Sequence, residues 1–332
     1  MSSWKDVTGF SAVKVTRYDG TQTGKIYANG LNQTEIVVYF EPIDVNGRLV
    51  TGLTSDDYLE PMALIDAETG TELDWHEWNE SSNWTYTEYK HEYYYPVPDN
   101  KTVADITEGG YSFTFYVSCS ADATFKSMGI AVQFALADGS TYSTGDNSQN
   151  ASKTTIHTRK KIIYDTENTK VTKDIVVNED LIDKNIPETD HGTYLWGQIN
   201  YGLYPNDDDG AANYFISSEL FNYALGDFSM KYCFYEKIHG WGNDRLAYFW
   251  PMDLKSPRIV GRGNFSLTIN TMKGAFNFTK VYYHHHDWED YEWTDHANDN
   301  LAILTDQYGN SGRFHFVKFD NDSADITVAS AN

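Results

Sequence analysis

Residues 128–143 read MGIAVQFALADGSTYS. Met128, Ile130, Val132, Phe134 and Leu136 alternate with Gly129, Ala131, Gln133 and Ala135. A period of two puts the large apolar side chains on one face of an extended strand. Asp138-Gly139 follows at once and Tyr142 opens the next run. Asp-Gly accepts the positive φ angles that a tight hairpin requires. A helix would instead show apolar positions three and four apart.

The same pattern recurs along the chain. Ile36, Val38 and Phe40 oppose Glu35, Val37, Tyr39 and Glu41 within Thr34–Ile43, and Tyr111, Phe113, Phe115 and Val117 oppose Ser112, Thr114, Tyr116 and Ser118. In the second half, Phe265, Leu267 and Ile269 alternate with polar residues, and Met272-Lys273-Gly274 turns the chain into Phe276 and Phe278. Short alternating strands separated by turns predict an all-β protein. At 332 residues the length suits two domains. The expectation is two tandem antiparallel β-sandwiches, immunoglobulin-like or jelly-roll-like, over 1–165 and 166–332. The polar run DTENTKVTK at 165–173 reads as the linker between them. Ser217–Leu225 reads as one short helix.

Composition narrows the function classes. The formal net charge is −23. A field of that sign repels phosphate backbones and anionic headgroups, which argues against nucleic-acid binding and membrane docking. No run approaches the length of a membrane span. MSSWKDVTGF lacks the apolar stretch of a secretory signal, so the expected location is cytoplasmic or outside by a route without a standard signal. Two cysteines, Cys119 and Cys233, sit in different alternating runs and read as reduced core residues.

Two stretches stand apart: DWHEWNESSNWTYTEYKHEYYY at 74–95 and VYYHHHDWEDYEWTDH at 281–296. Both join Trp, Tyr and His to carboxylates with almost no aliphatic residues. Flat rings with polar edges suit a recognition surface or a subunit contact. The candidate binding residues are Trp75, Trp78, Trp84, Tyr86 and Tyr94 in the first stretch, Trp241 in the His239–Gly242 run, and Trp288 and Trp293 in the second stretch. An internal aromatic contact is the alternative for both.

Residues 25–50, KIYANGLNQTEIVVYFEPIDVNGRLV, resemble the opening hairpin of bacterial immunoglobulin-like domains. The features are the Ala28-Asn29-Gly30 turn, the Val-rich strand Ile36–Phe40 and the Asp44-Val45-Asn46-Gly47-Arg48-Leu49-Val50 turn. The family's usual Pro after the Asn-Gly turn is replaced by Leu49. The resemblance implies a sandwich serving as spacer or binding arm in a surface, injected or particle-borne bacterial protein. It implies no catalytic residues.

Catalytic signatures are scarce. A GxSxG elbow, a phosphate-binding loop and an HExxH pair are all missing. Asn206–Gly210 fails the EF-hand template, because Pro205 and Ile216 fall at ligand positions. One metal alternative remains. On a strand, His284 and His286 share a face, and Asp287 and His296 lie close by, a donor set for Zn or another divalent metal. The expectation is therefore a non-catalytic interaction protein without a cofactor. It would bind a glycan, a protein surface or copies of itself. A metal- or carboxylate-dependent hydrolase at 284–296 is the first alternative, and a toxin or particle-assembly component the second.

Overall fold

The computed structural model describes residues 3–75, 83–94, 110–177, 195–207, 212–221, 233–238, 243–254, 258–260, 265–284, 301–317 and 327–331. The chain is all-β and divides into two compact units, Met1–Lys161 and Ile162–Asn332. Among the described residues no helix is long and apolar enough to cross a membrane.

The first unit contains β1 (Gly9–Thr16), β2 (Thr23–Ala28), β3 (Thr34–Ile43), a single-turn α1 (Ser55–Leu59), β4 (Met62–Asp66), β5 (Asp74–Trp75), β6 (Trp84–Thr87), β7 (Tyr111–Cys119), β8 (Ser127–Ala135), β9 (Thr141–Ser143) and β10 (Thr154–Lys160). They form two sheets, β1-β3-β7-β6-β5 and β2-β10-β8-β4, the second extended by β9. The alternating residues meet between them. Ile36, Val38, Phe40, Phe115 and Val117 from one sheet share a buried cluster with Ile26, Ile130, Val132, Phe134 and Ile156 from the other. Two apolar faces closed on each other make a sandwich. The turns behave as their residues require: Gly47 and Gly139 lie at φ +73° and +84°, and Asp44 Oδ1 accepts hydrogen bonds from Asn46 N (2.8 Å) and Arg48 N (2.9 Å).

The expected opening hairpin is an arch. β2 and β3 lie in different sheets, so no ladder joins them. Asn29 Oδ1 accepts from Leu31 N (2.9 Å) and Asn32 N (2.8 Å), Asn32 Oδ1 accepts from Tyr27 N (2.9 Å), and Gly30 N donates to Cys119 O (2.9 Å). Those side-chain bonds take the place of ladder bonds and carry the chain across the sandwich.

The second unit contains β11 (Ile163–Tyr164), β12 (Thr169–Val177), β13 (Leu195–Pro205), β14 (Phe215–Phe221), β15 (Cys233–Ile238), β16 (Asn243–Phe249), β17 (Arg258–Val260), β18 (Phe265–Leu267), β19 (Phe276–His284), β20 (Leu301–Asp306), β21 (Ser311–Val317) and β22 (Thr327–Ser330). Its sheets are β12-β13-β19-β16-β15, β11-β21-β20-β14 with β22 on β21, and the two-stranded β17-β18. Tyr164, Leu203, Phe249, Phe276, Phe278, Leu304, Phe314 and Phe316 fill the core between them. Two sequence expectations change here. The run read as a linker is structured: Asp165 and Asn168 close a turn, and β12 begins at Thr169, paired with β13. Ser217–Phe221, read as helical, belongs to β14, an edge strand on β20. Ladder bonds to β20 outweigh the local helical preference, which is weak in so short a run.

The two units repeat one strand plan. β1-β3-β7-β6-β5 corresponds to β12-β13-β19-β16-β15, and β2-β10-β8-β4 to β11-β21-β20-β14. Both plans include a parallel edge pair, β2 with β10 and β11 with β21. The first two strands are exchanged in chain order, and β5 runs parallel to β6 whereas β15 runs antiparallel to β16. The second unit adds a layer. β18 and the residues after it bury polar side chains on the outer face of β13 and β19. Gln198 Nε2 and Asn200 Nδ2 donate to Thr268 O (2.6 and 2.9 Å), Thr279 Oγ1 donates to Asn200 Oδ1 (2.7 Å), and Trp250 Nε1 donates to Thr279 Oγ1 (2.7 Å).

Candidate functional site

The first aromatic stretch splits into core and surface within a few residues. All four residues of β6 are buried. Trp84 and Tyr86 are 3% and 4% exposed and belong to the core cluster, with Tyr86 edge-on to Phe115 at 5.3 Å. Their expected role as contact residues is corrected: they hold sheet against sheet. Trp75, on the adjacent short strand, is 44% exposed and edges against Tyr86 (4.7 Å) and Phe115 (6.0 Å). It sits at the rim of the core with part of its ring in solvent.

After β6 the chain folds back towards the start of β3. Tyr89 N donates to Thr87 Oγ1 (3.1 Å). The Gln33 side chain then grips the returning segment from both ends of its amide, with Oε1 accepting from His91 N (2.8 Å) and Nε2 donating to Tyr89 O (3.4 Å). Asn32 Nδ2 donates to Tyr93 O (3.2 Å), and Tyr94 forms a parallel bridge to Gln33. Gln33 and Asn32 are themselves buried. A peptide held by buried amides needs little ordering on binding.

The pinned segment presents a defined chemistry. Tyr94 stands edge-on to Tyr116, centroids 5.4 Å apart at 85°. Lys90 Nζ lies 4.1 Å from the Tyr94 ring centroid, a cation–π contact. Tyr116 is the cross-strand neighbour of Glu35. Burial raises the Glu35 pKa above the ordinary carboxylate value, opposed by the charges of Lys90 and Arg17. Burial and then the Glu35 charge raise Tyr116. Arg17 is buried and paired with Asp19 at 3.3 Å. Tyr89 is 64% exposed, and its hydroxyl is raised first by its hydrogen bond to Glu88. Rings, an ammonium and a carboxylate side by side can stack on a flat ligand and hydrogen-bond its edges.

Of the expected binding residues, the structure brings Tyr94 to this surface and leaves Trp75 at the rim. Trp78, Trp241, Trp288 and Trp293 lie outside the described residues, as do His286, Asp287 and His296. His284 is the last residue of β19, where its backbone faces Leu195 of β13 and Asn243 of β16. Ile238 of β15 closes the same row opposite Asn243. Leu195, His284, Asn243 and Ile238 thus form one row across four neighbouring strands. Among the described residues no group of three His, Cys, Asp or Glu side chains could hold a metal ion. Burial raises the Cys119 thiol to about 12, far from the range of a reactive thiolate.

Gln33, Glu35, Lys90 and Tyr116 went unnoticed in the sequence. Glu35 and Tyr116 occupy the outward positions of two alternating runs, a legible signal. That they face each other depends on register, which alternation does not supply.

No family model matches the chain, and neither does any curated protein. Solved structures similar to it include the C-terminal domain of the Streptococcus agalactiae AgI/II polypeptide BspA, at 10% identity over 96% of this chain and 99% of that one, TM-score 0.24. Another is the collagen binding domain of Erysipelothrix rhusiopathiae surface protein RspB, at 12% identity over 99% and 95%, TM-score 0.15. Superpositions this loose identify no ligand and no activity.

Proposed function

We propose that the chain is a non-catalytic binding protein whose first unit contacts a glycan or protein surface through Tyr89, Lys90 and Tyr94. The observation that carries this reading is the double grip of Gln33 on the segment bearing those rings. A core would not need an exposed Tyr89, and an unconstrained loop would not need two buried amides beneath it. The test is binding of the full chain to a glycan array and to partner proteins, repeated with Tyr94→Ala and Lys90→Ala. Loss of the same interaction in both variants, with the thermal midpoint unchanged, supports the reading. Silence of the wild type in both screens removes it.

A second reading follows from the row formed by Ile238, Asn243, His284 and Leu195. It makes the 285–296 run, which follows His284 in the sequence, a divalent metal site supporting hydrolysis. Elemental analysis of the purified chain tests it: a stoichiometric metal lost in His284→Ala with His286→Ala supports it, and a metal-free protein rejects it.

A further inference from the structure

Phe125 stands between β7 and β8 at φ +59°, with 80% of its surface exposed. A bulky side chain disfavours the left-handed region, and an exposed ring forgoes burial. Glycine or asparagine would relieve both. The surrounding loop nevertheless fixes this conformation. The Thr158 hydroxyl sits between the carbonyls of Ala123 and Lys126, and accepts from Lys126 N at 3.0 Å. Thr158 N donates to Lys126 O (2.9 Å), and Lys126 N approaches Ala123 O (3.1 Å). Thr124 Oγ1 donates to Ala121 O (2.6 Å), and Ala123 is fully buried. An unfavourable conformation maintained by so many bonds points to a use for the ring in solvent.

The surroundings indicate which use. Gly30 N bonds Cys119 O and Ser120 N bonds Asn83 O, so the arch residue Leu31, 41% exposed, and Asn83 lie at the same end of the sandwich. Thr158 leads into Arg159, Lys160 and Lys161, and β10 pairs there with β2, Lys160 facing Ala28. Lys126, Lys160 and Lys161 are exposed, and no carboxylate occurs from 147 to 164. A chain of net charge −23 thus concentrates cations at one tip, with Asp122 four residues before Lys126 and Asp165 four after Lys161. At physiological salt, screening within about 8 Å lets a local patch differ from the whole. The apolar part is one ring and one leucine, far short of the roughly 800 Å² per partner of a stable protein interface. One fixed ring with a polar, cationic rim matches the face of a single sugar ring that carries acid groups nearby.

We infer that Phe125 is a preformed stacking platform for an anionic carbohydrate, whose carboxylate or sulfate groups are met by Lys126, Lys160 and Lys161. This site is independent of the surface at Tyr89–Tyr94. The experiment is calorimetric titration of the full chain with oligouronates, sulfated oligosaccharides and neutral oligosaccharides of equal length. The expected result is binding of one or both acidic classes, with neutral sugars at least tenfold weaker; comparison of uronate with sulfate identifies the acid group. Phe125→Ala weakens binding at least tenfold, Phe125→Trp keeps it, Lys126→Glu with Lys160→Glu abolishes it, and Tyr94→Ala leaves it unchanged. Phe125→Gly raises the thermal midpoint, since it releases the strained backbone, so lost binding in the position-125 variants is not lost folding. No acidic oligosaccharide binding by the wild type, or equal binding by Phe125→Ala, overturns the inference. So does binding confined to phosphatidylserine vesicles, which would make the tip a membrane contact.

Discussion

Tyr164 donates a 2.7 Å hydrogen bond to Asp306, whose carboxylate is fully buried in the second unit. Tyr308 N (2.9 Å), Asn310 N (2.8 Å) and Asn310 Nδ2 (3.1 Å) complete its shell. The cluster fastens the first strand of the unit to the turn between β20 and β21. Tyr164→Phe removes one donor from a buried acid that cannot find water. The expected loss is about 1–3 kcal/mol of second-unit stability, read as a lower denaturant midpoint and faster amide exchange at Tyr308 and Asn310.

Burial raises the Asp306 pKa, against the pull of its four donors. A raised carboxyl pKa means that the folded state holds its proton longer than the unfolded chain does. Its contribution is complete below the ordinary carboxyl value and is lost as pH rises through the raised one. Glu41 has the opposite sign: hydrogen bonds from Tyr39 (2.6 Å) and Ser11 (2.7 Å) lower its pKa. Its contribution is present above the ordinary value and disappears as pH falls through the lowered one. Denaturation of the full chain across this range should therefore show a second-unit slope that Asp306→Asn flattens and a reverse first-unit slope that Glu41→Gln flattens. An unchanged slope in Asp306→Asn would count against the assignment.

A glycine makes the same fastening possible. A Cβ at Gly312 would stand 2.2 Å from Tyr164 O and 2.5 Å from Tyr164 Cβ. Gly312 faces Tyr164 in the parallel β11–β21 pair. Gly312→Ala forces those strands apart and should cost about 3 kcal/mol, with the second unit melting early and the first unmoved.

The fold class was legible because one-sided burial imposes a period of two on the residues themselves. Ile130, Val132 and Phe134 are inward and fully buried, as their spacing required. Strand partnership was not legible, since alternation is blind to which edge a strand meets. Hence the arch from Tyr27 to Asn32 looked like a hairpin and β14 like a helix. In the candidate site, composition alone singled out Tyr94, which lies against Tyr116 and Lys90. The same composition misplaced Trp84 and Tyr86, because a strand covered on both faces accepts aromatic and threonine residues that resemble a surface. Gln198 and Asn200 were invisible for a related reason: an added layer buries polar side chains once each has a partner.

Trp84 and Trp75 make that distinction measurable. Trp84 is enclosed by the core, so Trp84→Ala opens a cavity and should cost about 3–5 kcal/mol. Trp75 is partly solvated, with its ring edged against Tyr86 and Phe115, so Trp75→Ala should cost about 1 kcal/mol. Equal losses in thermal denaturation would mean that the rim position of Trp75 is wrong.

Gln33→Ala separates the binding surface from the fold beneath it. The Gln33 amide is the shared anchor of Tyr89 O and His91 N, while β3 itself is held by its ladders to β1 and β7. Removing the amide leaves the part-buried His91 N–H and the Tyr89 carbonyl without this partner, and should cost about 0.5–1.5 kcal/mol. The loss falls on the segment and not on the sandwich, because Ile36 and Phe115 keep their core positions. Amide exchange at His91 should accelerate at least tenfold, with exchange in β3 and β7 unchanged. Any ligand that contacts Tyr89, Lys90 and Tyr94 must then order the segment itself, so its affinity falls although Gln33 never touches it. Gln33→Glu distinguishes positioning from contact. It retains the acceptor for His91 N and loses the donor to Tyr89 O, so affinity should lie between those of wild type and Gln33→Ala. Affinity unchanged in Gln33→Ala, alongside faster exchange at His91, would show that the grip on this segment is unrelated to binding.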